Sequence, residues 1–336
     1  MGEPNNNTYG QILKSTTLVG GSQIINILLG IVRTKFLAVL LGPGGFGLMG
    51  MYSAILGTVG TFAGMGIGSS GVRQIAEAAG TGDEQKIART IITLRRIVIV
   101  TGLLGMLLTI IFCVPLSKLS FGTDKYANPI AILSVTLLLG SVSGGQTALI
   151  QGLRRIADIA RLSVLGAFFG TVLSIPMIYL WGRDGIVPFL ITVSAMTILT
   201  SWWYARKTPV AHINLDFKET LKEAKGLLAL GLVFMATGLM TAAVMYLIRI
   251  LIIRKLGMES VGLYQSAATL SSLYIGVILG AMGMDFYPRL TSVAKDNDAC
   301  NRMVNEQTEV GLFVATPGIL ATLTFAPLVI HIFYAA

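Results

Sequence analysis

Residues 42–54 read GPGGFGLMGMYSA, and residues 257–269 read GMESVGLYQSAAT. Aligned on their first residues, the two stretches place Gly42 on Gly257, Gly47 on Gly262 and Leu48 on Leu263. Further along the same register, Arg73 nearly matches Arg289, Asp83 falls on Asp298, and FCVPL at 112–116 resembles FAPL at 325–328. The chain therefore carries an internal repeat. On either side of each copy lies apolar sequence. A membrane span needs about 20 mostly apolar residues, and nine stretches qualify: 12–40, 46–69, 93–115, 129–152, 162–181, 185–204, 227–253, 261–286 and 310–334. The first copy of the motif joins spans one and two, and the second joins spans seven and eight. One unit is thus six helices, and an even number of crossings gives both units the same orientation, a parallel repeat.

Composition agrees with this reading. Of 336 residues, 54% are hydrophobic and only 12% charged, whereas a soluble domain carries about 25% charged residues. The mean hydropathy is +0.75. Glycine (39) far outnumbers proline (10), which suits closely packed transmembrane helices. A soluble enzyme, a disordered tail and a coiled coil are excluded. The expected fold is an all-α polytopic membrane bundle of about nine transmembrane helices. It divides into a first six-helix lobe (1–205), a cytoplasmic amphipathic linker (206–226) and a second lobe (227–336) holding three helices. Six plus three is an unusual architecture, so the second lobe is expected to lack three C-terminal helices.

The net charge of +9 does not describe a nucleic-acid surface, because the positives sit at the ends of apolar runs rather than among exposed aromatics. Connections after the second, fourth and sixth spans hold Arg73, Lys86, Arg89, Arg95 and Arg96, then Arg154, Arg155 and Arg161, then Arg206, Lys207, Lys218, Lys222 and Lys225. The opposite connections hold only Lys118, Lys125 and Arg183. This asymmetry puts the N-terminus in the cytoplasm. Two basic connections, 71–92 and 205–226, read as short amphipathic helices on the membrane surface. Cys113 and Cys300 imply no disulfide framework, and His212 and His331 alone make no metal site. The N-terminus MGEPNNNTYGQILK lacks the form of a cleaved signal peptide, so the first span is expected to remain.

Gly42, Gly44 and Gly47 satisfy G-x-G-x-x-G, but a dinucleotide site needs that pattern between a strand and a helix of a soluble unit. Here it joins two spans and reads as a turn. Small-xxx-small pairs recur at Gly60/Gly64, Gly64/Gly68, Gly140/Gly144, Gly166/Gly170 and Gly276/Gly280, and they predict close helix packing. Intramembrane charge is a sharper signal, since a cation at a span's centre costs roughly 2.5–3.5 kcal/mol and normally faces protein or water. Arg33 and Lys35 interrupt span one, Arg249 interrupts span seven, and Arg254 and Lys255 follow it. In the repeat register Arg33 falls beside Arg249, so both halves place a cation at the same depth of the same helix. Snorkelling to the outer interface is the competing account. Asp285 alone among the acids sits in an otherwise apolar stretch, where it could carry a proton or lie at the end of span eight near Arg289. Gln23, Asn26, Gln146, Gln151 and Gln265 could line a hydrated path or hydrogen-bond between helices. There is no Ser-His-Asp set, no P-loop and no Cys/His cluster. The chain reads as a non-enzyme, with no cofactor and no metal implied.

The segments TKFLAVLLGPGGFGLMGMYSA (34–54), GVRQIAEA (71–78) and ESVGLYQSAATLSSLYIGVILGAMGMDFYPRL (259–290) resemble the Wzx-type polysaccharide flippases. These belong to the multidrug/oligosaccharidyl-lipid/polysaccharide exporter superfamily, and the likeness is to its O-antigen and enterobacterial-common-antigen branch. The resemblance implies two six-helix lobes around a central cavity. It also implies an undecaprenyl-diphosphate-linked oligosaccharide as substrate, flipped across the bacterial inner membrane by alternating access. Cavity-lining cations on helices one and seven carry over by position to Arg33 and, less directly, to Arg249. Lys35 follows the branch's pattern before the turn, and Arg254 joins them as a substrate-binding candidate. A polysaccharide polymerase and glycosyltransferases are the protein partners such a role invites. Guanidinium groups recognise phosphate bidentately, so Arg33 and Arg249 would hold the diphosphate while rocking of the lobes exchanges the exposed side. Asp285 is the candidate for ion coupling. Two other readings stay open: a multidrug or cation exporter of the same superfamily, against which the absence of acids from spans one to seven counts, and a non-transporting scaffold of a glycan-assembly complex.

Overall fold

A computed structural model describes residues 6–209, 213, 215–269, 271, 296–325 and 328. Among these the regular elements are all helices: α1 (Asn6–Gly64), α2 (Ile67–Gly80), α3 (Glu84–Ile111), α4 (Cys113–Phe121), α5 (Ala127–Leu133), α6 (Val135–Gly152), α7 (Ile156–Trp181), a 3₁₀ turn (Gly182–Gly185), α8 (Ile186–Ala205), α9 (Phe217–Leu256) and α10 (Asn297–Thr324). The chain forms two compact units, 1–261 and 262–336.

Five helical stretches of the described residues are long and apolar enough to cross a membrane: Gly21–Gly64, Glu84–Ile111, Ala127–Gly152, Ile156–Ala205 and Lys218–Leu256. Two of them hold two expected spans each. At 59 residues, α1 would be far longer than a bilayer if straight, at 1.5 Å per residue. It breaks at Gly42 (φ 63°, ψ 179°), and Pro43 follows. That backbone region is essentially open only to glycine, and proline has no N–H to continue the ladder but starts a helix well. The stretch from Ile156 to Ala205 breaks at the 3₁₀ turn. The first seven expected spans therefore each fall on a described helix. The eighth lies mostly outside the described residues, and the ninth begins within α10. The repeat register holds at backbone level where it can be checked: Gly257, aligned with Gly42, also has positive φ (87°).

In the first unit, the two arms of α1 pack differently. Asn26 on the first arm donates from Nδ2 to Ser163 Oγ of α7 (2.8 Å). The second arm meets α3, α6 and α9: a Cβ on Gly105 would lie 2.6 Å from Ala63, one on Gly60 3.3 Å from Leu137, and one on Gly238 3.1 Å from Thr61. A core at the basic end joins Ile67 and Ile75 of α2, Ile91 and Leu94 of α3, Leu149 and Ile150 of α6, and Leu227 of α9. Polar clips tie the same end together. Arg96 donates to the Leu215 carbonyl (3.0 Å) and to Thr220 (2.6 Å), fixing the start of α9. Arg155 pairs with Asp158 and donates to Thr208 (2.5 Å). Arg206 stacks over Trp203, 3.6 Å from the ring centroid; tryptophan with an adjacent cation is typical of a membrane–water boundary.

Both segments expected as surface helices turn out otherwise. Residues 71–92 hold the end of α2, a turn capped by Asp83, whose side chain accepts from Gln85 and Lys86 N–H groups (2.9 and 3.2 Å), and the start of α3. The apolar face of α2 is buried against protein: Ile67, Ser70, Gly71, Ile75 and Ala78 are all buried. The helix is amphipathic, and its apolar face packs on α3, α6 and α9. In the second segment, the helix begins at Phe217 and runs unbroken to Leu256.

In the second unit, α10 is started by Asp296, which accepts from the N–H groups of Asp298 (3.0 Å) and Ala299 (3.1 Å). This mirrors the Asp83 cap of α3, two residues before the aligned Asp298.

Candidate functional site

The largest structural surprise concerns glycine. A cavity of about 630 Å³ lies between the second arm of α1, α2, α3, α6 and α9, and Gly57, Gly60, Gly64, Gly68, Gly140 and Gly144 line it. A Cβ built on Gly57, Gly64, Gly68, Gly140 or Gly144 would meet nothing within 4 Å. These residues do not bring helices together; they leave space. Close packing holds for Gly166, whose Cβ would lie 3.1 Å from Thr200, and for Gly170, 3.7 Å from Val193, where α7 meets α8. Gly60 is intermediate, facing both Leu137 and the cavity. Gly276 and Gly280 lie outside the described residues.

Hydroxyls make up the rest of the polar lining. Thr61 donates to the Gly57 carbonyl (2.8 Å), Ser141 to Val98 (2.7 Å), Thr136 to Leu133 (2.6 Å) and Ser194 to Leu190 (3.0 Å). With each proton committed to backbone, the oxygens keep acceptor lone pairs for an occupant. Among the described residues the lining includes no charged side chain. Ile67 and Val98 belong to both the lining and the apolar core, so the cavity floor at the basic end is apolar. Such a chamber suits a neutral, hydroxyl-rich guest better than an ion.

The candidate cations sort by helical geometry. Arg33 is half-buried, on the stripe of α1 that also carries Asn26, bonded to α7, and the buried Leu37 and Leu41. Lys35 is two residues on, about 200° around the helix, and is exposed. Arg249 is half-buried on the stripe of α9 that carries Ala242, whose carbonyl faces Thr58 of α1 (3.5 Å), and Tyr246, which shares a hydrogen bond with Ser120 of α4 (2.5 Å). Arg254 is exposed and donates to the carbonyl of Leu119 (2.9 Å) at the end of α4. There it satisfies an orphan acceptor of the last turn. Arg33 and Arg249 are thus half-buried on protein-facing stripes, whereas Lys35 is exposed and Arg254, also exposed, reaches across to the end of α4. None of the four lines the 630 Å³ cavity. Asp285 lies outside the described residues.

The intramembrane amides divide similarly. Gln146 accepts from Ser201 of α8 (2.6 Å), an interhelical bond like that of Asn26, and Gln265 donates to Thr269 one turn on (3.1 Å). Gln23 and Gln151 are exposed. What sequence reasoning missed is the hydroxyl set, since serine and threonine are unremarkable in membrane helices until their shared wall is seen.

Comparison with known proteins adds the context. Residues 36–336 match the family described as polysaccharide biosynthesis protein. The chain belongs to that family. It is 21% identical over 296 residues to the lipid III flippase of Escherichia coli (strain K12), covering 87% of this chain and 70% of the relative. It is 24% identical over 317 residues to a Shigella flexneri protein provisionally named an O-antigen transporter, covering 92% and 73%. Among solved structures, an inward-facing multidrug resistance MATE family transporter of the MOP superfamily superposes with a TM-score of 0.74 at 18% identity, covering 92% of this chain and 72% of that one. The chain is thus a multi-pass membrane protein that shares the fold of that transporter, and its described regular elements are all helices, as expected.

Proposed function

We propose that this family member flips a lipid-linked oligosaccharide across the bacterial inner membrane by alternating access, with undecaprenyl diphosphate as the carrier. The observation that carries this reading is the match to the polysaccharide biosynthesis family over residues 36–336, alongside relatives named for lipid III and O-antigen translocation. Physical chemistry supports it. A diphosphate bears about two negative charges, and an apolar slab alone repels it at prohibitive cost. Arg33 and Arg249, on protein-facing stripes of the first and seventh spans, would hold the diphosphate. Lys35 and Arg254, exposed, take a secondary part as outer contacts. The neutral acceptor-lined cavity would accommodate sugar. Asp285 is retained as the ion-coupling candidate. The N-terminus is cytoplasmic, and the lobe boundary falls in 206–226. A polymerase and glycosyltransferases are the partners at the two faces.

Complementation of a flippase-deficient strain tests this. Arg33→Ala and Arg249→Ala should each abolish surface polymer while membrane levels stay unchanged. Full activity in both variants would overturn the assignment of the arginines, and failure of the wild-type gene to restore polymer in any lipid-linked-glycan strain would overturn the function. A cation exporter would instead raise resistance to cationic drugs.

A further inference from the structure

A second cavity, about 790 Å³, lies at the other end of the first unit, among the connections poor in positive charge. Its floor is apolar, from Leu48 of α1, Ile132 of α5, and Val187 and Ile191 of α8. One wall is aromatic. Tyr126 stacks on Phe121 with ring centroids 4.2 Å apart, and Tyr52 meets both rings edge-on, at 5.9 Å from Phe121 and 6.4 Å from Tyr126. The three rings pack on one another; Tyr126, partly exposed, faces the cavity, and the buried Tyr52 backs it.

The rim is polar: Lys125, Asn128, Arg183 and Asp184. Arg183 and Asp184 sit on the 3₁₀ turn, and that turn is held rigidly. Gly185 is buried so close to α7 that a Cβ there would stand 2.4 Å from the Met177 carbonyl oxygen. Among the described residues, none of the four rim side chains makes an ion pair or a hydrogen bond. Donors and acceptors are therefore presented ready for a guest.

We propose that this cavity binds the oligosaccharide portion of the substrate on the side opposite the basic connections, as a carbohydrate subsite separate from the glycine-lined cavity. The proposal rests on the flippase reading for why a glycan arrives there, though not for whether one binds. A sugar ring has an apolar C–H face for a fixed tyrosine, and vicinal hydroxyls for planar amide, carboxylate and guanidinium groups. Few other ligands use both surfaces at once. A phospholipid headgroup would gain from Lys125 and Arg183 but is repelled by Asp184 on the same rim. An acyl chain would leave all four polar groups unused. The volume lies in the range of small-molecule sites.

The test uses the purified full chain in detergent and, as probe, the saccharides freed by mild acid from the host's polyprenyl-diphosphate pool. Saturation-transfer NMR reads which sugar protons touch protein. Wild type should give transfer, and Asn128→Ala and Asp184→Ala, both exposed and without structural partners, should each raise the half-saturating concentration about tenfold without altering thermal stability. Val187→Trp, filling the floor, should abolish transfer. Undiminished binding in both alanine variants, no binding by wild type, or displacement of the signal by phosphatidylglycerol would each overturn the proposal. Binding by a protein whose gene fails complementation would sink the flippase reading and leave the subsite standing. Complementation without binding sinks the subsite alone.

Discussion

At the residue scale, glycine carries two opposite meanings one position apart. Gly144 faces open space, whereas a Cβ on Gly145 would lie 2.9 Å from both Val98 methyls. Gly145→Ala should therefore destabilise by about 1–3 kcal/mol through overpacking, seen as earlier loss of monodisperse protein on heating. Gly144→Leu and Gly140→Leu should leave that heating profile unchanged and yet cut surface polymer at least tenfold, because they fill the chamber. Equal instability in Gly144→Leu and Gly145→Ala would show that the space is not there. Sequence alone could not separate these glycines, since i, i+4 spacing describes a smooth stripe and says nothing of what stands opposite. The arginines were more legible. Arg33 and Lys35 differ by 200° around one helix, so only one of them could share the face of Asn26.

Among elements, the junction of α1 and α2 is the most constrained. Met65 and Gly66 both adopt positive φ (47° and 62°), uncommon for methionine. The break presses on α9 with bare backbone on each side: a Cβ on Gly66 would stand 2.1 Å from the Gly231 carbonyl oxygen, and one on Gly231 2.2 Å from that of Met65. Gly66→Ala and Gly231→Ala should each cost on the order of 3 kcal/mol, with reduced membrane levels as the readout. Gly68→Ala, two residues on with nothing near it, should be tolerated. The spans themselves were legible because long apolar runs have few alternatives in lipid. The role of α2 was not, since a half-apolar helix with Arg73 and Glu77 paired outward (2.8 Å) looks the same whether its other face meets a bilayer or a protein core.

For the whole molecule, the basic connections and the Trp202–Trp203 pair fall at one end of the first unit, and the charge-poor connections with the 790 Å³ cavity at the other. If the basic end is cytoplasmic, as the charge asymmetry implies, a cysteine at position 184 should react with a membrane-impermeant maleimide in intact cells and one at position 85 should not, once Cys113 and Cys300 are replaced. The reverse pattern would invert the topology. The repeat was visible because the connecting glycines at 42 and 257 share a demanding backbone, whereas the cavities, which belong to no single stretch of chain, left no trace in either copy.

The contact between Gly66 and Gly231 has a mechanical corollary. Side chains at a sliding surface act as springs and permit graded displacement, but here the closest approach is backbone to backbone, with only the Phe234 Cβ beside it. One turn away on the same face of α9 stand Leu228 and Phe234, so a slide by one turn, about 5.4 Å, would drive a carbonyl oxygen into a large side chain. The seventh span can sit home against this break or leave it altogether, which makes the joint a latch with a click rather than a hinge with friction.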